Sequence, residues 1–257
     1  MINDNITTNE KPLDKLVGSY SNTAIFRTMA FIGDSLSSGE FETRDEEGNP
    51  KWKDFFEYSW GQYIARKNGL KAYNFSRGGM TTKEYVETFA KERGFLDKDK
   101  ACQAYVIALG VNDIFGWKME IGSTADIDIN DYTNNKNSFL GYYGRIVSLY
   151  KEISPDAKFF FVTLPNEAND STNEKALRVR DALYSLTEIF DNSYVIDLYE
   201  YGPVYDEEFK NKYYLYGHLN ASGYILTANL IDSYIDYIVR NNPKDFDYVA
   251  FIGAQAK

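Results

Sequence analysis

Residues 28–35 read TMAFIGDS, an apolar run that ends at Gly33 and continues into the polar pair Asp34 and Ser35. A short, unbroken apolar run bounded by a turn signal is typical of a strand buried on both faces, as in a parallel sheet. Gly and Asp favour a tight turn, since both stabilise or tolerate the backbone angles that turns require. The segment therefore predicts a buried strand that ends in a turn carrying Ser35.

Segments of the same kind recur along the chain and alternate with stretches of helical spacing. Apolar runs followed by polar residues occur at 71–79, 104–113, 157–165 and 193–198. The stretches between them have helical periodicity, and several end at Gly or before Pro, which are helix stop signals. These predicted helices cover 58–69, 81–94, 138–155, 172–190 and 221–243. The alternation predicts a three-layer α/β/α sandwich around a mostly parallel sheet of about five strands.

Two long stretches, 39–58 and 115–135, fit neither class. Both follow predicted strands, so we expect both at the carboxyl edge of the sheet, where open α/β sheets bind ligands. Residues 1–22 are polar and lack periodicity, which predicts an N-terminal arm. The remainder, 23–257, is expected to form a single domain, because one α/β domain commonly reaches this size.

Composition argues against several partners. The formal net charge is -10, whereas nucleic acids and anionic membranes bind basic surfaces. The one cysteine, Cys102, allows no internal disulfide bond and is expected to be a buried, unreactive thiol. The polar start, MINDNITTNEKPLDK, lacks the apolar region of a signal peptide, and no apolar run is long enough to cross a bilayer. The expected location is the cytoplasm, with secretion after removal of a signal peptide as the alternative.

The chain has one histidine, His218, in the segment GHLNASGY just before the last predicted helix. A single histidine is more often structural or exposed than catalytic. However, an enzyme that transfers protons through imidazole near neutral pH would have to use His218, because this chain has no other histidine. Ser35 is the matching candidate nucleophile, because a strand-end turn exposes its hydroxyl and leaves backbone N–H groups free to stabilise an oxyanion.

Two further turns follow predicted strands and are expected beside Ser35. The first, SRGGMTT, carries Gly78 and Gly79, where the missing side chains let a backbone N–H approach a ligand. The second, GVNDIF, carries Asn112, whose side-chain amide can donate to an oxyanion. Gly and Asn are also ordinary turn residues. Their joint placement with Ser35 and His218 is what indicates a hydrolytic site.

The order GDS, a glycine turn after NFS, GxND, and a histidine before a helix with GY resembles the SGNH/GDSL hydrolase superfamily over roughly residues 28–235. The resemblance implies a flavodoxin-like sandwich that hydrolyses esters or thioesters without a metal or other cofactor. It assigns Ser35 as the nucleophile and His218 as the base. It also implies an oxyanion hole made of the Ser35 and Gly79 backbone N–H groups and the Asn112 amide.

One position departs from the family pattern. The family usually has Asp three residues before the histidine, where this chain has Leu215. A base needs a partner that fixes its tautomer, and we expect the backbone carbonyl of Leu215 to accept the His218 Nδ1–H, giving a dyad. A carboxylate from elsewhere is the alternative. The acids considered are Asp206 and Glu207, then Asp197, which is expected to be structural, and Asp34, which is expected to fix its turn.

The predicted reaction is removal of a small acyl group, above all acetyl, from a carbohydrate. Trp52, Phe115 and Trp117 lie in the two long stretches and offer flat faces for stacking on a sugar. The same rings can line an acyl pocket or pack the loops onto the sheet, so a short-chain esterase, thioesterase or lysophospholipase is the alternative. A catalytically silent relative that only binds glycans also stays open, because the usual Asp is missing. A nucleotide-binding protein is not supported, since no glycine-rich phosphate loop follows the first strand.

Overall fold

The computed structural model describes residues 9–253 and contains a parallel sheet of five strands. The strands in chain order are β1 (Thr28–Gly33), β2 (Glu40–Arg44), β3 (Pro50–Asp54), β4 (Lys71–Ser76), β5 (Ala104–Ala108), β6 (Lys158–Val162), β7 (Ser193–Ile196), β8 (Tyr214–Leu215) and β9 (His218–Leu219). The central sheet has the order β4-β1-β5-β6-β7, with every pair parallel. The predicted sandwich and its strand number are confirmed.

Helices cover both faces of this sheet. In chain order they are α1 (Ser35–Ser38), α2 (Trp60–Asn68), α3 (Thr82–Glu84), α4 (Ala90–Glu92), α5 (Phe139–Ile153), α6 (Asp170–Thr187), α7 (Leu198–Tyr201), α8 (Glu207–Tyr213) and α9 (Ala221–Asn241). A π-helical turn, Tyr85–Phe89, joins α3 to α4, so the helix predicted for 81–94 is not α-helical throughout. Its ends are as predicted, with Thr81 as N-cap and Gly94 in the left-handed region.

Alternation of side chains along β1 divides the core into two halves. Ala30 and Ile32 point to the face covered by α5 and α6, whereas Met29 and Phe31 point to the face covered by α2 and α9. Both faces are buried, which explains why the strand sequence is continuously apolar. All four side chains are fully shielded from solvent.

The predicted N-terminal arm packs onto the α2–α9 face where it is described, and residues 1–8 lie outside the described part. Ser21 donates to the buried carboxylate of Asp232 at 2.7 Å, and Lys67 from α2 forms an ion pair with the same carboxylate at 2.9 Å. Within residues 9–253 no helix has the length and apolar character needed to span a bilayer.

The long stretch 39–58 forms a β-hairpin, β2–β3, followed by a short 3₁₀ helix, Phe56–Tyr58. One contact closes the base of this hairpin, and a second holds it against the domain. The Phe55 N–H donates to the Gly39 carbonyl at 2.9 Å, and the Tyr224 hydroxyl of α9 donates to the Glu40 carbonyl at 2.7 Å. The hairpin thus begins directly after α1, close to the carboxyl end of β1. This is the edge of the sheet where the stretch 39–58 was expected.

Gly39 is expected to be the most sensitive glycine of this hairpin. Gly39 and Gly48 both have left-handed backbone angles, with φ of 80° and 83°. A Cβ on Gly48 would meet nothing, whereas one on Gly39 would collide with the Phe55 carbonyl oxygen. Gly48→Ala should therefore lower the free energy of unfolding by about 1–2 kcal/mol, and Gly39→Ala by about 1–3 kcal/mol more.

Urea unfolding of the two alanine variants measures this difference, with Gly48→Ala as the matched control for backbone strain. Equal losses in the two variants would show that the Phe55 carbonyl yields without cost.

Candidate active site

The strands that carry the predicted site residues are neighbours in the sheet. Gly33 at the end of β1 is in register with Ser76 of β4 on one side and Ala108 of β5 on the other. Because the strands are parallel, the turns that follow them emerge at the same edge. The turns bearing Ser35, Gly79 and Asn112 therefore lie side by side, as the sequence predicts.

Ser35 is the first residue of α1, and Asp34 caps this short helix. The Asp34 carboxylate accepts the Leu36 N–H at 3.1 Å, and its carbonyl accepts the N–H groups of Ser37 and Ser38. Burial raises the pKa of Asp34 to about 6, with nearby Asp113 adding to the rise, while the Leu36 N–H and His218 lower it. In residues 9–253 the Ser35 N–H meets no acceptor, whereas the N–H groups of Leu36, Ser37 and Ser38 all donate to Asp34.

Gly79 has φ of 71°, and a Cβ placed on it would meet nothing, so its backbone faces open space. Its N–H also has no acceptor within the described part of the chain. The Asn112 amide lies between this turn and the serine turn. It donates to the Met80 carbonyl at 3.1 Å and, over a longer 3.4 Å, to the Asp34 carboxylate. The longer bond is weak and is the one an incoming oxyanion can replace.

His218 begins β9, and both of its ring nitrogens face carboxylates from the β2–β3 hairpin. Nδ1 lies 2.8 Å from Glu42 Oε2, and Nε2 lies 2.9 Å from Glu40 Oε1. The prediction that the Leu215 carbonyl accepts the Nδ1–H is wrong. Leu215 instead pairs with His218 across the tight β8–β9 turn, while the hairpin brings a carboxylate to the same nitrogen.

Glu42 is buried and held by three donors. Its Oε2 accepts the Gly217 N–H at 2.9 Å as well as His218, and its Oε1 accepts from Arg44 at 2.6 Å. Burial alone would raise the pKa of this carboxyl, but the hydrogen bonds from His218, Arg44 and Gly217 outweigh it and lower the pKa to about 2. Arg44 is fixed in turn, because its guanidinium stacks 3.8 Å from the centre of the Tyr216 ring. The carboxylate beside Nδ1 therefore stays ionised across the neutral range.

The other acids considered for this role serve local structure. Asp206 caps α8 by accepting the Phe209 N–H at 2.9 Å, and Glu207 is exposed in the first turn of that helix. Asp197 is buried between Arg180 and Tyr184, at 2.6 and 3.0 Å. Glu42 escaped the sequence analysis because it lies 176 residues from His218 in the chain. The available signal was the alternation Glu-Phe-Glu in residues 40–42, which places two carboxylates on one face of a strand.

An apolar cavity of about 80 Å³ lies next to Ser35, between the ends of β5 and β6 and helix α9. Leu36 and Ser37 line it on the serine side, and Val111 and Pro165 come from the turns after β5 and β6. Since one water-sized group needs roughly 10–15 Å³ by this measure, the cavity has room for a short chain of a few carbon atoms.

The three aromatic residues proposed from sequence differ in their surroundings. Trp52 lies on β3, opposite Glu42, and is 53% exposed. Phe115 is partly buried and packs against the core, which favours a packing role. Trp117 is 77% exposed and borders a surface groove of about 370 Å³ that starts at Thr81, two residues beyond Gly79. Glu84 and Glu87 also line that groove, where they form ion pairs with Arg77 and Lys83, respectively.

A family model described as the GDSL-like lipase/acylhydrolase family matches residues 31–226, from within β1 to within α9. The chain belongs to the GDSL-like lipase/acylhydrolase family. No curated protein sequence gives a significant match to this family member.

Solved structures of similar fold include carbohydrate esterases. A family two carbohydrate esterase from Clostridium thermocellum, solved with cellohexaose, is 16% identical with a TM-score of 0.56, covering 90% of this chain and 68% of that one. A carbohydrate acetylesterase from Sinorhizobium meliloti is 16% identical with a TM-score of 0.51, covering 82% and 99%. A protein from Lactobacillus plantarum reaches a TM-score of 0.58 at 16% identity, covering 82% and 97%. These likenesses establish the fold of this GDSL-like chain.

The Glu42 contact makes a prediction about the imidazole itself. Because the GDSL-like chain has one histidine, the side-chain spectrum of ¹⁵N-histidine-labelled protein reports on His218 alone. A charge-assisted bond to Glu42 should give a strongly downfield Nδ1 proton resonance. Glu42→Gln removes the charge, so this resonance should move upfield or disappear into exchange with water.

Glu46→Gln, an exposed neutralisation on the same hairpin, is the control and should leave the resonance in place. An unchanged Nδ1 proton in Glu42→Gln would show that a neutral acceptor such as a backbone carbonyl holds the ring after all.

Proposed function

We propose that this protein is a serine ester hydrolase that removes small acyl groups from carbohydrates. The observation that carries the proposal is the contact between Glu42 and His218 Nδ1, which supplies the acid that the sequence lacks at Leu215. It supports a complete Ser35–His218–Glu42 set at one sheet edge. Such sets are defined by geometry and role rather than by their order in the chain.

In the proposed mechanism His218 accepts the Ser35 proton through Nε2 as the hydroxyl attacks the ester carbonyl. Glu42 keeps the other ring proton on Nδ1 and stabilises the imidazolium that forms. The oxyanion is received by the N–H groups of Ser35 and Gly79, which meet no acceptor in the described residues, and by Asn112 in place of its weak bond to Asp34. His218 then protonates the leaving alcohol, and water releases the acid by the same route.

Two features support a small acyl group on a sugar. The apolar cavity beside Leu36 is sized for a short chain and too small for a long fatty acyl group. The exposed Trp117 ring borders an open groove, an arrangement suited to stacking on a sugar face, and the ion pairs that Glu84 and Glu87 form with Arg77 and Lys83 give this groove a polar lining. The named activities of the two carbohydrate esterases of similar fold are in line with this proposal.

The first test asks which serine reacts and on what. A fluorophosphonate should label Ser35 alone, and Ser35→Ala should fold normally but lose about 10⁴-fold or more of kcat. Ser37→Ala, which alters a buried hydroxyl two residues away, is the matched control and should still be labelled. Acetylated oligosaccharides should be better substrates than p-nitrophenyl esters of long acyl chains.

Labelling at Ser37 or Ser38 would contradict the assignment of the nucleophile. Tight binding of glycans without turnover of any acetyl ester would instead identify a silent binding protein.

The second test concerns the acid. Glu42→Gln should lower kcat by about 10³-fold or more with little change in KM, because the charge acts mainly on the imidazolium of the transition state. Asp206→Asn, which removes a charge from a helix cap near the histidine in sequence, should keep most of the activity. A large loss in Asp206→Asn and a small one in Glu42→Gln would reassign the acid.

A further inference from the structure

Glu40 occupies the space between the base and the oxyanion turn. Its Oε1 lies 2.9 Å from His218 Nε2, and its Oε2 lies where a Cβ on Gly78 would collide with it. Any residue larger than glycine at position 78 would therefore displace this carboxylate. Since Gly79 follows directly, the Glu40 carboxylate spans from the base nitrogen to the turn that presents the Gly79 N–H.

This contact is incompatible with the first step of the proposed mechanism. A neutral imidazole has one N–H donor and one acceptor nitrogen. With a carboxyl group against each ring nitrogen, Nε2 either donates to an ionised Glu40 or accepts the proton of a protonated one, and in both cases it has no free lone pair for the Ser35 proton. Nε2 must therefore leave Glu40 before Ser35 can be activated.

Once Nε2 turns to Ser35, the Glu40 carboxylate needs another donor. Its side chain is only 15% exposed, and an unpaired carboxylate in such a place is unfavourable. Burial and the neighbouring carboxylates of Asp54 and Glu42 raise the pKa of Glu40, while His218 lowers it, so losing the His218 contact leaves the charge less stable still. Asp54 cannot help, because it too is an acid and is held by the Ser38 hydroxyl.

In the complex with substrate, the alcohol part of the ester can supply this donor. His218 Nε2 also protonates the leaving alcohol oxygen, so this oxygen must come within hydrogen-bond distance of Nε2. Substituents on the carbon next to it then lie where Glu40 now sits. The apolar cavity lined by Leu36 and Ser37 is available to the acyl part.

We propose that Glu40 is a specificity-determining residue that accepts a hydrogen bond from a hydroxyl group adjacent to the ester in the alcohol part of the substrate. The inference rests on the proposed ester hydrolysis and names its substrate class, esters of vicinal diols such as partly acylated sugars. In the absence of substrate the same carboxylate covers the base. A substrate hydroxyl draws Glu40 away from Nε2, whereas an anionic group at this position is repelled.

The experiment compares two esters of similar size of which only the first carries this donor, 2-hydroxyethyl acetate and n-propyl acetate. The wild-type protein should prefer the hydroxyl ester by about tenfold or more in kcat/KM, as expected for a hydrogen bond to a charged group. Glu40→Ala should abolish the preference, mainly through the hydroxyl ester. It should also be labelled faster by a small fluorophosphonate, because its Nε2 is uncovered.

Two further variants make the result decisive. Glu46→Gln, exposed on the same hairpin, should keep the wild-type preference. Glu40→Gln retains the size of the side chain and should keep a preference of about threefold, since a neutral amide oxygen is a weaker acceptor. Glu40→Gln decides the matter if Glu40→Ala does not fold.

The possible failures are distinguishable. An unchanged preference in folded Glu40 variants, with normal Ser35 labelling and turnover, overturns the role of Glu40 alone. Absence of both labelling and ester turnover in the wild-type protein overturns the proposed hydrolysis and, with it, this inference.

Discussion

The contact between Glu42 and His218 connects the hairpin that follows the serine turn to the strand that carries the histidine. The sheet alone places Ser35, Gly79 and Asn112 together, because their strands are parallel neighbours. His218 does not belong to that sheet, and its ring is oriented by a hairpin that follows the serine turn. The short bond at Nδ1, with Arg44 and Gly217 holding the same carboxylate, fixes the orientation of the ring from one side. Without it, nothing in the β8–β9 turn determines which nitrogen faces the serine.

Much of the fold and half of the site follow from sequence for one physical reason. Buried parallel strands are continuously apolar, and their carboxyl ends meet at one edge. That logic is enough to bring the turns after β1, β4 and β5 together at this edge. It fails for Glu42, since a β-hairpin in an acidic insert carries no signal of what it packs against. It also misses the π-helical turn at Tyr85–Phe89, which apolar spacing cannot distinguish from α-helix.

The acid that contacts His218 comes from the β2–β3 hairpin and not from the turn before the histidine. The site therefore depends on how firmly this hairpin is held to the domain. β3 is exposed along its whole length, so β2 alone holds the hairpin to the domain, through the Glu40 carbonyl, Phe41 packed against Tyr224, and Glu42. Elements with few buried contacts open at lower free energy than the core. Loss of the acid from His218 is therefore expected to precede global unfolding.

The same strand supplies both carboxylates that face the imidazole, and their spacing explains why they act differently. Residues two apart in a strand point to the same face, so fixing Glu42 against Nδ1 necessarily brings Glu40 near Nε2. The backbone of Glu40 is fixed by Tyr224 and by its pairing with Asp54. Uncovering the base thus requires rotation of one side chain rather than movement of the hairpin. Glu42 can stay in place during this rotation because its own three donors are unaffected, so the base is freed without losing the partner that orients it.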